Sequence, residues 1–563
     1  MVDTPPVPPA RSGHRAKWIE SAVLGLVVAV QLALVWAHEY PPTADGPAHV
    51  ANAAILKDYN HPDAAAWRRF YALSDRADPN LAGHYLMAVL MHVVSPVTAE
   101  KILLSLYVVA LPLAFAYALR AVRPDATWAT FLVLPFTFSY VVNMGFYNFS
   151  LSLPGYFVIV GYWLRHRDHF DAVYGARLLV MMLALYCCHI VSLLLGWITI
   201  AVLAAWTIGG DLLAARKQDQ RTPGVLWRAI RCRALIPLLA SLPALALMVG
   251  FVKRHHEPKI VGRSKLELLA SLLDLDALVS FSDDHVALTR WFTFVLIAAG
   301  ALVVGLRIAR RRRLEWSDGL LAVAAVMGAL YLKAGEQAYL PARLSLFVFL
   351  PTILWLGVQI WPRWGARSLQ LIGGGTALAM VLLSAPYWAK LSDQIAEYLS
   401  VAGEIRPGST LLSLPQSRLG WSAGGDLNDR IHTFLYTSGY FVPARRIVDL
   451  RNYEAHMGYF PVDYRKELSP YVHMAQAAPP RPRWHGSELW PPQIDLDGYE
   501  RATGATVDGV LLWGKLDDIR REAPALMDML ESRYRLVTSS KPNQLAHVWE
   551  RKTPPPTTAT SRP

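Results

Sequence analysis

The sequence predicts an all-α polytopic membrane bundle of about 11 transmembrane helices that carries a C-terminal soluble α/β domain. Three observations predict it. Of 563 residues, 53% are hydrophobic and only 17% charged, with mean hydropathy +0.26, whereas an average soluble domain carries about 25% charge. Apolar runs long enough to span a bilayer, or nearly so, recur from residue 18 to residue 388. After residue 389 the composition turns abruptly to mixed polar and apolar, with Pro, Gly and Trp scattered through it. Disorder is thereby excluded, and an ordinary cytosolic protein is not expected. A net charge of +12 and pI near 9.5 would point to nucleic acid in a soluble chain. Here the basic residues cluster between apolar runs and read as topology signals, so no nucleic-acid partner is expected.

The runs fall at 18–37, 101–119, 128–144, 148–164, 178–208, 234–252, 291–308, 317–335, 342–360 and 368–388. Residues 178–208 are too many for one comfortable helix. Breaking that run at His189, near its middle, gives two short crossings and eleven in all. The positive-inside rule tests the count. With the N terminus in the cytoplasm, eleven crossings put Arg11, Arg15 and Lys17 inside, then Arg120 and Arg123, then Arg165, Arg167 and Arg177. Inner loops also receive Arg228, Arg231 and Arg233, the run Arg310 to Arg313, and Arg363 with Arg367. The outer turns near 145, 189 and 337 carry no Lys or Arg. An unsplit 178–208 with an extra crossing at 85–98 would place Arg120, Arg123 and Arg165 outside, so the split is preferred.

Residues 1–17 are expected to be a disordered cytoplasmic start and 18–37 an uncleaved anchor, since no small-residue cleavage site follows. The membrane body then runs over 18–389, with large outer loops at 38–100 and 253–290. Two stretches of the first loop, 49–59 and 83–94, are amphipathic and too short to span, as expected of helices lying along the bilayer surface. Residues 390–552 read as an extracytoplasmic α/β domain with strands at 409–414, 509–513, 535–538 and 546–550 and a helix over 518–532. Residues 553–563, rich in Pro and Thr, read as a disordered tail. Cys187, Cys188 and Cys232 are too few and too placed within apolar or basic stretches for a disulfide framework, and none is expected to be catalytic.

Asp45 stands in Ala44-Asp45-Gly46-Pro47-Ala48-His49, just beyond the first span, where Gly and Pro force a turn that holds the carboxylate at membrane level. The competing reading is plain turn chemistry, with Asp45 a helix cap near His49. Taken with the layout, this segment resembles the glycosyltransferases of the C superfamily, which include protein O-mannosyltransferases and bacterial lipid A aminoarabinose transferases. The likeness covers residues 18 to about 390. It rests on one N-terminal span, a long outer loop opening on an acidic residue and holding two surface helices, a multi-span body and an outer C-terminal domain. Family members often have a second acidic residue where this chain has Gly46.

The resemblance implies transfer of a sugar from a polyprenyl-phosphate donor to an acceptor on the outer face, with inversion and with Asp45 as general base. A phosphate leaving group needs positive charge more than protonation. The loop 253–290 supplies it with Lys253, Arg254, His255, His256, Lys259, Arg263 and Lys265, against the usual topological bias. A basic loop resting on lipid headgroups is the alternative. Arg343, in Leu340-Pro341-Ala342-Arg343-Leu344 at the outer mouth of a span, is a sharper candidate, with snorkelling as its rival explanation. His189 would face the same cavity, or be a hydrogen-bonded interior histidine. His49, His189, Lys253, Arg254, His255, His256, Arg263 and Arg343 are therefore the expected substrate-binding set. Superfamily members that bind a divalent metal use an acidic residue in the turn after the third span. Here that turn is Asn143-Met144-Gly145-Phe146-Tyr147-Asn148, without a carboxylate, so no metal and no cofactor is expected. Consecutive His255, His256 and Glu257 do not suit one ion. Tyr85, Tyr140, Phe146, Tyr147, Trp163 and Trp197 are aromatics able to stack on sugars, or simply interfacial and packing residues. In the C-terminal domain, Asp449 to Glu454 and Gly458 to Pro461 form a polar and aromatic cluster without a recognisable catalytic spacing.

The expected partners are the lipid-linked donor, membrane lipids and an acceptor that is a glycan, lipid or protein. The Ala-, Arg- and Trp-rich composition points to a bacterial inner membrane with a periplasmic outer face, with an endoplasmic reticulum membrane as the alternative. Two other classes compete: a transporter or flippase, which would gather ionisable residues near the bilayer midplane, and a non-enzymatic envelope scaffold.

Overall fold

The computed structural model describes residues 14–217, 223–255, 262–311, 314–474 and 494–552. Seven helices among them are long and apolar enough to cross a membrane: Trp18–Ala37, Pro96–Val122, Ile190–Ala215, Gly224–Arg254, Asp283–Ala309, Gln337–Val358 and Arg363–Glu404. Ala172–Cys188 and Trp316–Tyr331 are shorter apolar helices, and Tyr147–His166 is a 20-residue helix mixing Tyr, Asn and Ser into its apolar face. The chain is an integral membrane protein. Its helices differ in what they face. Only 22% of the most apolar window of Trp18–Ala37 is buried, against 72% for Gln337–Val358. The first shows Leu26 and Trp18 to the surroundings, which for such side chains means lipid, and the second is the centre of the bundle.

The long apolar run at 178–208 is broken where its length demands. One helix ends at Cys188, His189 is extended at φ −165°, and the next helix begins at Ile190. Residues 128–144 depart from the expected regular span. Thr127–Phe138 is a 3₁₀ helix with Pro135 inside it, followed by the short helix Tyr140–Asn143. A 3₁₀ helix rises about 2.0 Å per residue, so these 12 residues reach about as far as 16 α-helical ones.

Segments read as inner loops meet at one end of the bundle. There Arg123 donates to the Gln359 carbonyl at 2.6 Å, Arg233 pairs with Asp168 at 2.6 Å, and Arg307 pairs with Asp318, which also accepts from the Trp355 indole at 3.1 Å. At the other end, residues 43–49, 143–149, 189 and 339–343 converge under the C-terminal domain.

The final membrane helix, Arg363–Leu399, has 37 residues. At about 1.5 Å per residue it is roughly 55 Å long, well beyond an apolar thickness near 30 Å, and it runs straight into the C-terminal domain. That domain is built on a five-stranded mixed sheet with the spatial order Val448–Asp449, Thr410–Pro415, Gly509–Trp513, Ala546–Arg551, Tyr534–Ser539. The first three run parallel and the last two pair antiparallel. Every residue of Thr410–Pro415 is buried, as expected for a central strand covered on both faces. The helix expected over 518–532 is two helices, Leu516–Glu522 and Pro524–Arg533. Pro524 disfavours helical backbone at Ala523, which sits at φ −136°, ψ 60°.

The domain is also stitched to the loop between the first two spans. Tyr71–Leu73 pairs antiparallel with Val462–Tyr464, the Trp67 indole donates to the Ile447 carbonyl at 2.8 Å, and the Thr433 hydroxyl donates to the Pro42 carbonyl at 3.2 Å. Loop and domain thus form one roof over the open end of the helices.

Candidate active site

Asp45 is positioned by its backbone before its side chain is considered. The amides of Ala44 and Asp45 donate to the carbonyls of Asn143 and Met144 at 3.3 and 3.0 Å. The approach is close enough to dictate two glycines. Gly145 sits at φ +82°, and a Cβ there would lie 2.6 Å from the Gly46 nitrogen and 2.8 Å from the Asp45 nitrogen. A Cβ on Gly46 would run into the Glu100 carboxylate, the Thr43 hydroxyl and the Tyr147 hydroxyl. The place beside Asp45 where a second acidic side chain would start is therefore already filled, from another helix, by Glu100. That carboxylate accepts from Tyr147 at 2.5 Å and Tyr440 at 2.7 Å.

Gly46–Asp58 then begins as a helix with Pro47 in its first turn, and the Asp45 carboxylate is left at its mouth, only 7% exposed. It accepts one hydrogen bond, from the Tyr453 hydroxyl at 2.8 Å. Burial pushes its proton affinity up to about 7. The Tyr453 hydrogen bond opposes this, the neighbouring Glu454 charge adds to it, and the Arg343 charge opposes it. Tyr453 is itself held by stacking on Tyr436, ring centroids 4.4 Å apart.

Arg343 lies in the first turn of Leu340–Val358. Its guanidinium covers the rings of Phe146 and Phe149, 4.6 and 5.3 Å from their centroids, and donates to Nε2 of His189 at 3.1 Å. His189 also meets the Phe149 ring edge-on at 5.2 Å. Asp45, Arg343 and His189, from three distant stretches of sequence, are thus gathered in one region. The rest of the expected binding set is not. Arg254 pairs with the buried Asp78, His255 lies 3.6 Å from the same carboxylate, and Arg76 joins them at 3.2 Å. Arg263 pairs with Glu336 at 2.8 Å and donates to the Ser271 hydroxyl. Lys253 is exposed, and His256 lies outside the described residues. Among the described residues of this loop, Arg254, His255 and Arg263 thus lie against carboxylates of the chain itself.

His49, one turn after Asp45, lies in a buried cluster with His84 and Glu454. Its Nδ1 is 2.8 Å from His84 Nε2 and 3.0 Å from Glu454 Oε1, and His84 Nε2 is 2.9 Å from Glu454 Oε2. Burial drives His49 down to about 4, against the attraction of Glu454. Burial pushes Glu454 up, but the two histidines and the Asn52 amide outweigh it and hold the carboxyl below its usual range. These three side chains could hold a metal ion. Glu100, His84, Tyr453 and Glu454 were not named as site residues from sequence. Tyr453 and Glu454 lie within the polar and aromatic cluster noted there, but 408 residues separate Tyr453 from Asp45 and no local pattern links them.

No family model matches the chain, and no curated protein matches it. Among solved structures, ArnT from Cupriavidus metallidurans in the apo state is similar over 95% of this chain and 98% of that chain, at 11% identity and a TM-score of 0.47.

Proposed function

We propose that this chain is an integral-membrane glycosyltransferase that moves a sugar from a polyprenyl-phosphate donor to an acceptor on the outer, periplasmic face of a bacterial inner membrane, inverting the anomeric carbon, with Asp45 as general base. One observation carries the reading. A carboxylate whose burial raises its proton affinity to about 7 stands just beyond the first apolar helix, within the field of Arg343 and hydrogen-bonded to Tyr453 of the C-terminal domain. A lipid-linked donor presents its phosphosugar at that depth, so base and donor meet without the sugar leaving the interface.

The chemistry assigns each group a task. The acceptor hydroxyl attacks the anomeric carbon, and its proton passes to Asp45. The bond from that carbon to the phosphate oxygen breaks on the opposite face, and the electron pair leaves with the polyprenyl phosphate. Arg343, held in place by Phe146, Phe149 and His189, compensates the charge on that phosphate. A single carboxylate suffices because phosphate leaves without protonation, unlike the leaving groups of most glycoside hydrolases.

The test is a reconstituted assay with a panel of polyprenyl-phosphate sugars and a membrane extract as acceptor, scored for free polyprenyl phosphate and a glycosylated product. Cleavage coupled to transfer supports the reading. Movement of intact lipid across the bilayer without cleavage would replace it with the flippase alternative.

A further inference from the structure

The cluster under Asp45 has more lone pairs than protons. His84 directs Nδ1 at the Asn80 carbonyl, 3.1 Å away. A carbonyl only accepts, so Nδ1 carries a proton, and in the neutral imidazole Nε2 is then a bare lone pair. That lone pair faces His49 Nδ1 at 2.8 Å and Glu454 Oε2 at 2.9 Å. His49 is in turn hydrogen-bonded to the backbone of Gly145, which anchors its ring with Nδ1 turned into the cluster. Glu454 Oε2 takes the Asn52 amide at 2.6 Å. Glu454 Oε1, fully buried, makes no hydrogen bond, although it lies 3.0 Å from His49 Nδ1. Buried polar atoms are otherwise almost always partnered. Three donor atoms converging without enough protons to separate them are what a cation would satisfy.

We infer that His49, His84 and Glu454 bind one divalent transition-metal ion of the zinc type, which clamps the C-terminal domain to the helices Gly46–Asp58 and Ala82–Leu90. Two imidazoles and a carboxylate are a common zinc donor set with a fourth position left for water. Each ligand already has its supporting partner: Gly145 for His49, Asn80 for His84 and Asn52 for Glu454. Donors around tetrahedral zinc stand about 3.3 Å apart. The present separations, 2.8 Å between His49 Nδ1 and His84 Nε2, 3.0 Å from the first to Glu454 Oε1 and 2.9 Å from the second to Glu454 Oε2, are each a few tenths of an ångström shorter than that. The ligands come from Gly46–Asp58, Ala82–Leu90 and the C-terminal domain, with 35 and 370 residues between successive members, which is why no sequence spacing announces the site. Glu454 directly follows Tyr453, so the ion would fix the residue that donates to Asp45. It is a positioning element, and it stands whether or not the transferase reading does.

The test uses the tag-free full chain in detergent, stripped with a chelator and titrated with Co²⁺ and then Zn²⁺. One equivalent of Co²⁺ should give visible absorption of a four-coordinate N/O site, which one equivalent of Zn²⁺ bleaches, and the melting temperature should rise with free Zn²⁺. Glu454→Gln and His84→Ala should weaken binding at least about 100-fold. If neither variant folds, Asn52→Ser, which removes only a supporting hydrogen bond, should weaken it about tenfold. Wild-type chain that binds less than about a tenth of an equivalent, or binding that none of these substitutions weakens, would overturn the inference.

Discussion

The hydroxyl of Tyr453 donates to Oδ2 of Asp45 at 2.8 Å across 408 residues of sequence. The C-terminal domain thus reaches the carboxylate on which the proposed chemistry depends. Since that hydrogen bond stabilises the ionised form, Tyr453→Phe should raise the proton affinity of Asp45. A hydrogen bond to a charged group is worth about 1.5 to 3 kcal/mol, or about one to two pH units. Transfer by the variant should fall at neutral pH and recover when the pH is raised, as read from a pH–rate profile at saturating donor.

The wild-type profile has a defined sign. Asp45 must be ionised to act as base, and its proton is held up to about 7. The transfer rate should therefore be low in mild acid, rise with pH through about 7 and level off above it. A flat profile across that range would remove Asp45 as the titrating base.

Stability should run the opposite way. The folded chain binds the Asp45 proton more tightly than the unfolded chain, whose carboxyl titrates near 3.8. The stability from this group is full below about 4 and is lost as pH rises through about 7, at about 1.4 kcal/mol per unit. Asp449, pushed up to about 6 by burial, adds a smaller contribution of the same sign. Asp45→Asn keeps an acceptor oxygen for Tyr453 without the charge. It should melt several degrees above wild type near pH 8, with the gap narrowing near pH 5, as followed by scanning calorimetry or fluorescence.

Arg343 can be separated from a generic positive charge. Lysine cannot cover Phe146 and Phe149 while also donating to His189 in the fixed fork of a guanidinium. Arg343→Gln should cost roughly 100-fold or more in kcat/KM for the donor, and Arg343→Lys should recover only part of it. Steady-state kinetics with varied donor would show this, and equal activity in all three proteins would take Arg343 out of the site.

Gly46→Ala and Gly145→Ala should both destabilise the chain by about 1 to 3 kcal/mol or more. The first drives a methyl into the Glu100 and Tyr147 cluster, and the second sets a side chain at φ +82° against the Asp45 backbone. Lower melting temperatures in both are the expected result.

What the sequence made legible followed from length and periodicity. The break at His189 was readable because 178–208 is too long for one helix, and the sheet strands at 409–414, 509–513, 535–538 and 546–550 lie within a residue or so of where they form. The 3₁₀ path of Thr127–Phe138 was not readable, since apolar composition fixes burial and not the helical pitch. Pro524 did carry a local signal for the break after Glu522. The charge of the 253–290 loop looked available because its partners, Asp78 and Glu336, lie far away in sequence. Glu100, His84, Tyr453 and Glu454 are brought to Asp45 only by tertiary packing. Gly46, seen in the sequence as a missing acid, is explained by Glu100 filling the space from another helix.

The central claim is tested most directly by purified Asp45→Asn in proteoliposomes, assayed for donor binding and for sugar transfer side by side with wild type. The account predicts unchanged donor affinity with transfer reduced by a factor of about 100 to 10,000, the range expected for losing a general base. Transfer at the wild-type rate by a folded Asp45→Asn protein would contradict it.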